Sequence, residues 1–170
     1  MDDNLNRRDL LIDILINNAG FGMHGDVVDA DADADRIDAM TSINLSLVAL
    51  ASRLLQRRAG AIVSMASTSA YQPVPNMAAR GATNSFVLSS SRALWAENRT
   101  SGVDVLALSP AATETEFVSI AGEDAAIGRR RSTAQVVRTA LRALSQGRPA
   151  SWTGTGTPCW PGSRRAPPGV

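Results

Sequence analysis

Three short apolar runs recur along the chain at wide intervals: Leu10 to Ile16 (LLIDILI), Ala61 to Met65 (AIVSM) and Val103 to Leu108 (VDVLAL). Their hydrophobicity is nearly continuous rather than alternating, which is what a strand covered on both faces needs. Each run is bounded by turn-forming residues: Asn17 to Gly20 after the first, Gly60 before the second, Gly102 and Pro110 around the third. Tens of residues separate them, so two-residue hairpins are excluded. Long connections of this kind suit crossovers between parallel strands. The runs therefore predict the strands of a parallel sheet.

The intervening segments have the helical period. Asp33 to Arg58 carries Ile37, Met40, Ile43, Leu47, Leu50 and Leu54 at steps of three and four. Met77 to Asn98 is rich in Ala and offers Phe86, Leu88, Leu94 and Trp95 to a core. Ser132 is a cap for Thr133 to Ser145, with Val136, Val137, Ala140, Leu141 and Leu144 on one side and Gly147 beyond the end. The order β-α-β-α-β-α predicts an α/β domain with right-handed crossovers and helices on both sheet faces. From Gly147 onward Gly and Pro recur without any period, so residues 1–147 are expected to form the domain and 148–170 an irregular tail. Within that tail, Arg148 to Trp152 is a candidate for one more short strand.

Composition narrows the class further. The 170 residues suit one domain, and a formal net charge of +1 gives no general reason to expect nucleic acid or an anionic membrane. No apolar stretch approaches the roughly 20 residues of a membrane span. The opening MDDNLNRRDL has no apolar signal-peptide core, and Cys159 is the single cysteine, so a reduced, cytoplasmic setting is expected. The basic residues number 17 and all are Arg; the chain contains no Lys.

In an open parallel sheet, ligands sit at the carboxyl ends of the strands. Asn17, Asn18, Ala19 and Gly20 after the first strand, Ser67 after the second, and Pro110 to Thr115 after the third would face one crevice. From about Asp13 to Gly147, the ordered set DILINNAG, INL, GAIVSMAS, AYQPVPNMAARGATNSFVLS and LALSPAATETEF resembles the short-chain dehydrogenase/reductase family. The resemblance implies a Rossmann-type doubly wound sheet and an NAD(P)-dependent oxidoreductase acting on an alcohol or carbonyl substrate. It implies that Asn17 to Gly20 stabilise the central strand and line the adenosine side of the cofactor. Ser67 would hydrogen-bond the substrate oxygen, and Asn44 would hold a water in a proton relay. Pro110 and Thr115 match a loop over the nicotinamide in which Ala111 stands where the family has Gly. If that loop needs a positive φ, Ala111 costs about 1 kcal/mol or more.

The chain departs from the family in its proton-transfer pair. The family's Tyr-x-x-x-Lys begins thirteen residues after the serine; here those positions are Arg80 and Asn84. Four residues apart on a helix, they share a face. Arg80, as an arginine, does not deprotonate at any working pH. Asn84 carries no charge with which to lower a neighbour's pKa. Tyr71, the only tyrosine, lies four residues after Ser67 and is a weak substitute. Catalysis in this chain is expected to be impaired.

A second departure concerns the cofactor. Nothing before Asp13 matches the Gly-rich strand-turn-helix that cradles the pyrophosphate in the family, so the sheet is expected to be partial, lacking the first βαβαβ strands, and NAD(P) binding by this chain alone is not expected. The Ile12 to Ile16 strand would then be an apolar edge open to pairing. The alternative is a non-enzymatic interaction protein that pairs with a full-length relative through this edge or the long helices.

Remaining motifs favour structural readings. Asp29-x-Asp31-x-Asp33-x-Asp35 suits a helix N-terminus, since an EF-hand would want Gly at Ala34 and Glu at Met40. His24 has no partner at triad or ligand spacing, and Arg129 to Arg131 is a solvated run. Trp95 serves equally as core or as an interface between copies, because the resemblance implies pairing of helices 33–58 and 77–98 into a homo-oligomer.

Overall fold

A computed structural model describes residues 11–18, 51–75, 77–115 and 130–153 of the chain. Four parallel strands, β1 (Ile14–Asn17), β2 (Gly60–Met65), β3 (Val103–Ser109) and β4 (Ala150–Trp152), form one sheet in the order β1-β2-β3-β4. Residues 51–57 are helical (α1), as are Ala78–Glu97 (α2) and Thr133–Ser145 (α3). The three strands expected from apolar runs are present, and the short strand expected at Arg148 to Trp152 is β4. Residues 150–152 of the segment read as an irregular tail are thus paired in the sheet, while the tail from 154 lies outside the described residues.

Register divides the sheet into two faces. Leu15, Ile62, Val105 and Ala107 point to one face, where Ala51 and Leu54 of α1 and Val87 and Leu88 of α2 cover them. Val63, Leu106 and Leu108 point to the other, where Val136 and Ala143 of α3 cover them. Leu106 and Ile62 are fully buried, each withdrawing a side chain from water for about 1.5–3 kcal/mol.

This arrangement corrects one expectation. The sheet steps in a single direction, yet α1 and α2 lie on one face and α3 on the other. Successive crossovers of one hand stack their helices on one face, so the β3-to-β4 connection has the opposite hand to the two before it. Right-handed crossovers throughout and helices on both faces are incompatible in such a sheet. The hand rule comes from direct strand-helix-strand connections; here residues 110–132 intervene before α3 begins.

Two helix faces also differ from expectation. Phe86 is 44% exposed; of the other expected core residues of α2, Leu88 is buried and Leu94 and Trp95 pack on the core, and the helix also buries Asn84, Val87 and Ser91. On α3, Val137 and Leu141 are 56% and 59% exposed, while Val136, Ala140, Ala143 and Leu144 meet the sheet. Five apolar residues on a helix mark a wide stripe, and only the neighbour above the sheet selects which edge of it is covered. Trp95 packs half-buried against the Ala51–Leu54 cluster, with the Arg99 guanidinium 5.1 Å from its ring centroid.

Local chemistry sets the boundaries. Ser132 and Gln135 form a reciprocal capping box: the Gln135 amide N–H donates to Ser132 Oγ at 3.4 Å, and the Ser132 N–H donates to Gln135 Oε1 at 3.1 Å. Gly102, at φ +83°, turns the chain from α2 into β3 where any Cβ would strike the Arg58 carbonyl. Arg58 itself takes φ +55° at the end of α1, and Arg57 ties that end to β1 through Ile12 O at 2.6 Å and Asp13 Oδ1 at 3.0 Å.

Candidate active site

The carboxyl ends of β1, β2 and β3 carry the residues that the strand-end pattern singled out. Ser67 leaves β2 in an extended conformation (φ −153°, ψ 167°), and its hydroxyl accepts the Ser69 N–H at 3.3 Å, capping a one-turn 3-10 helix, Thr68–Ala70. The Thr68 N–H donates to Pro110 O at 3.3 Å, binding the loop after β2 to the loop after β3. Ser67 is buried at 8% exposure, with its hydroxyl engaged in this local cap. Ser85 Oγ of α2 lies 3.1 Å from Ala70 O and 2.8 Å from Gly81 O, so the first turns of α2 are clasped to the Ser67 turn.

Arg80 and Asn84 occupy this part of α2. The Asn84 side-chain amide donates to Arg80 O at 2.8 Å, and Thr83 Oγ1 donates to the same carbonyl at 3.1 Å. Asn84 is buried at 8% exposure. Arg80 is half-buried, and the loss of hydration pushes its guanidinium below its ordinary pKa. An arginine guanidinium keeps its proton in proteins. The pair therefore presents a fixed cation and a neutral amide.

Tyr71 packs against the core. Its ring packs on the cluster of Ala66, Val87, Leu88 and Ala107, meets Trp152 edge-on at 5.3 Å between centroids, and its hydroxyl accepts from Ser109 Oγ at 3.3 Å. The loop after β3 is held by side chains that sequence reasoning passed over. Thr153 Oγ1 accepts the Ala111 N–H at 2.9 Å and Thr113 Oγ1 donates to Ala111 O at 2.8 Å, while the main chain at Thr113 forms a parallel bridge with Arg131. Thr153 lies in a stretch without periodicity, so no local pattern marked it. Ala111 has no positive φ, since Arg58 is the one non-glycine with that geometry among the described residues. The strain expected from Ala in place of Gly is therefore not incurred.

Asn17 ends β1 half-buried and Asn18 is exposed just beyond it; Pro110 is half-buried and Thr115 exposed. Ala19, Gly20 and Asn44 lie outside the described residues, as do His24, Asp29 to Asp35 and Arg129. Among the described residues no group of three His, Cys, Asp or Glu side chains is placed to hold a metal, and no helix is long and apolar enough to cross a membrane.

An all-parallel sheet with helices packed on both faces defines an α/β domain of the Rossmann type. The family model for short chain dehydrogenase matches residues 6–126. The chain belongs to the short chain dehydrogenase family. Among solved structures it is similar to a short-chain dehydrogenase from Sphingobium yanoikuyae in complex with NADPH, with 34% identity and a TM-score of 0.74 over 86% of this chain and 59% of that one. It is similar also to the bulky-bulky ketone specific alcohol dehydrogenase from Comamonas testosteroni, with 30% identity and a TM-score of 0.71 over 88% of this chain and 58% of that one. A short chain dehydrogenase of Pseudocercospora fijiensis is 31% identical over 111 residues, 62% of this chain and 36% of the relative. The chain thus spans little more than a third of that curated relative and under two thirds of the solved ones.

Proposed function

We propose that the chain is the strand-end, substrate-side portion of an NAD(P)-dependent oxidoreductase for an alcohol or carbonyl substrate, and that its own proton-transfer chemistry is impaired. The supporting observation is the α2 pair. Arg80 carries a proton it does not release, and the buried Asn84 amide is committed to Arg80 O at 2.8 Å. General acid-base transfer needs a group whose pKa lies near the working pH, and neither side chain has one. In this reading Ser67 retains its place beside the substrate oxygen, and Asn17 to Gly20, Pro110 and Thr115 belong to the cofactor side, with Asn44 in the relay. The described residues do not fit a complete nicotinamide redox site, because a fixed cation stands where the family's phenol would exchange a proton. No step is therefore routed through the cofactor.

Calorimetric titration of the full chain with NADPH, beside an assay of ketone reduction, tests this. The expected result is no micromolar affinity and no turnover; micromolar binding with measurable reduction overturns the reading.

The second reading, a non-enzymatic protein that pairs with a longer relative, is favoured by β1. Ile14 and Ile16 are 57% and 61% exposed on the outermost strand of the described sheet, and Leu11, shortly before it, is 74% exposed. Co-purification with a full-length family member, absent after Ile16→Lys, is the outcome that supports it.

A further inference from the structure

At about 100° per residue, Arg80 falls within about 20° of both Val87 and Ser91 around the α2 axis, so it continues the face that those residues bury against the sheet. That face runs antiparallel to the strands. Leu94 and Trp95 pack beside Ile62 and Val105, while Val87 and Leu88 pack beside Ala66 and Ala107. Each step back along α2 is therefore a step toward the carboxyl ends of β2 and β3. Arg80 lies about 10 Å beyond Val87 in that direction, at about 1.5 Å of rise per residue. β2 ends at Met65 and β3 at Ser109, so Arg80 stands on the inward face of α2 at the level where the chain leaves the sheet, beside the Ser67 turn. A Cβ on Gly81, the next residue, would lie 3.6 Å from Ser69 O, and Ser85 Oγ donates to Ala70 O at 3.1 Å, so the turn and this stretch of helix touch.

The groups gathered here are donors. Ser67 is 8% exposed; its Oγ accepts the Ser69 N–H, which leaves the hydroxyl proton to give, and among the described residues nothing accepts it. Ser69 is 6% exposed, and its hydroxyl has no partner among the described residues. Arg80 is half-buried, so its guanidinium gives up part of its hydration. Its planar fork carries five N–H donors, enough for a two-oxygen ligand beside the contacts it already makes. The end of α2 has the same sign, since Met77 provides no side-chain cap and the first turn holds no acid. Of the described carboxylates, Asp13, Glu97 and Asp104 stand at the amino end of the sheet, and Glu114, which is exposed, is the one at the carboxyl end. Buried donors beside a partly dehydrated cation call for a ligand that accepts and carries negative charge.

We propose that the crevice at the carboxyl end of β2 takes a carboxylate-bearing ligand, its two oxygens held by the Arg80 guanidinium next to the Ser67 hydroxyl. This deepens the oxidoreductase reading and rests on its placing of Ser67 on the substrate side: the alcohol or carbonyl compound is one that carries an acid group. A neutral ketone offers the guanidinium lone pairs but no charge, so it leaves the cost of dehydrating the cation unmet. A carboxylate meets the planar fork with two parallel N–H···O bonds, and its single charge matches the single cation. The side chain that ends proton transfer at this position thereby supplies recognition.

Acetate and its neutral counterpart acetamide, titrated separately into the full chain and followed by amide chemical shifts, test this. Acetate is expected to move the Ser67, Ser69, Arg80 and Gly81 amides saturably, with acetamide binding about tenfold more weakly or worse. Arg80→Gln is expected to weaken acetate by about tenfold or more, and Arg80→Lys to recover part of the loss, because it restores the charge without the fork. Arg138→Gln, which removes an exposed cation from α3, is expected to change nothing. Equal responses to acetate and acetamide in the native chain overturn the proposal without any variant having to fold. Undiminished acetate binding in Arg80→Gln overturns it as well. Inorganic phosphate binding far more tightly than acetate overturns the carboxylate in favour of a phosphate, and displacement of acetate by NADPH overturns it in favour of the cofactor. Turnover with NADPH, by contrast, overturns the impaired-catalysis reading alone and leaves this one standing.

Discussion

The side-chain amide of Asn84 donates to the main-chain carbonyl of Arg80, one turn earlier on α2, at 2.8 Å. The two side-chain positions are thus joined by a local helix contact. Asn84→Ala removes the bond from a buried position and is expected to cost about 1 kcal/mol. Urea denaturation measures it, and an unchanged midpoint would show the contact to be energetically idle.

Tyr71 accepts from the fully buried Ser109 hydroxyl at 3.3 Å. Tyr71→Phe keeps the ring on Trp152 but leaves Ser109 without that acceptor. The expected loss is about 1 kcal/mol in thermal or chemical unfolding. A gain in stability would mean that Ser109 finds another partner.

Arg58 and Gly102 meet at the amino end of the sheet with opposite conformational needs. Arg58 holds φ +55° after α1, where glycine is the preferred residue, so Arg58→Gly is expected to stabilise by about 0.5–1 kcal/mol. Its guanidinium bond to Thr100 O at 3.2 Å is solvent-exposed and offsets little of this. Gly102→Ala acts the other way, because φ +83° and the Arg58 carbonyl both oppose a Cβ; a loss above about 1 kcal/mol is expected. Paired denaturation curves showing the same sign for both variants would contradict this account.

Ser91 is 1% exposed, and its hydroxyl has no hydrogen-bond partner among the described residues. Burying a hydroxyl unsatisfied costs about 1–3 kcal/mol, so Ser91→Ala should be neutral or stabilising, by up to about 1 kcal/mol after the lost contacts. A clear destabilisation, measured by differential scanning calorimetry, would reveal an ordered water or other partner at that site.

Much of the fold was legible in the chain. Continuous apolar runs identify β1, β2 and β3 because strands covered on both faces have no polar side to alternate with. Ser132 and Gly147 bracket α3 because unsatisfied peptide groups at helix ends demand local chemistry. The positions of Ser67, Arg80 and Asn84 were also local facts, set by spacing along β2 and α2. These features depend on neighbours a few residues away, and sequence records such neighbours directly.

Tertiary structure decided the rest. Periodicity marks Val136, Val137, Ala140, Leu141 and Leu144 as one stripe, but only the position of α3 over β3 and β4 buries Val136 and exposes Val137 and Leu141. The same holds for Phe86, which stays exposed while Val87 and Leu88 of α2 pack on the sheet. The hand of the last crossover depends on which face α3 reaches after residues 110–132, and no residue within that stretch states it. Tyr71, Ser109 and Trp152 are brought together across 81 positions of chain, 152 minus 71, by the pairing of β4 with β3. Sequence fixes what a segment prefers locally; which of its faces is buried is a property of what packs against it.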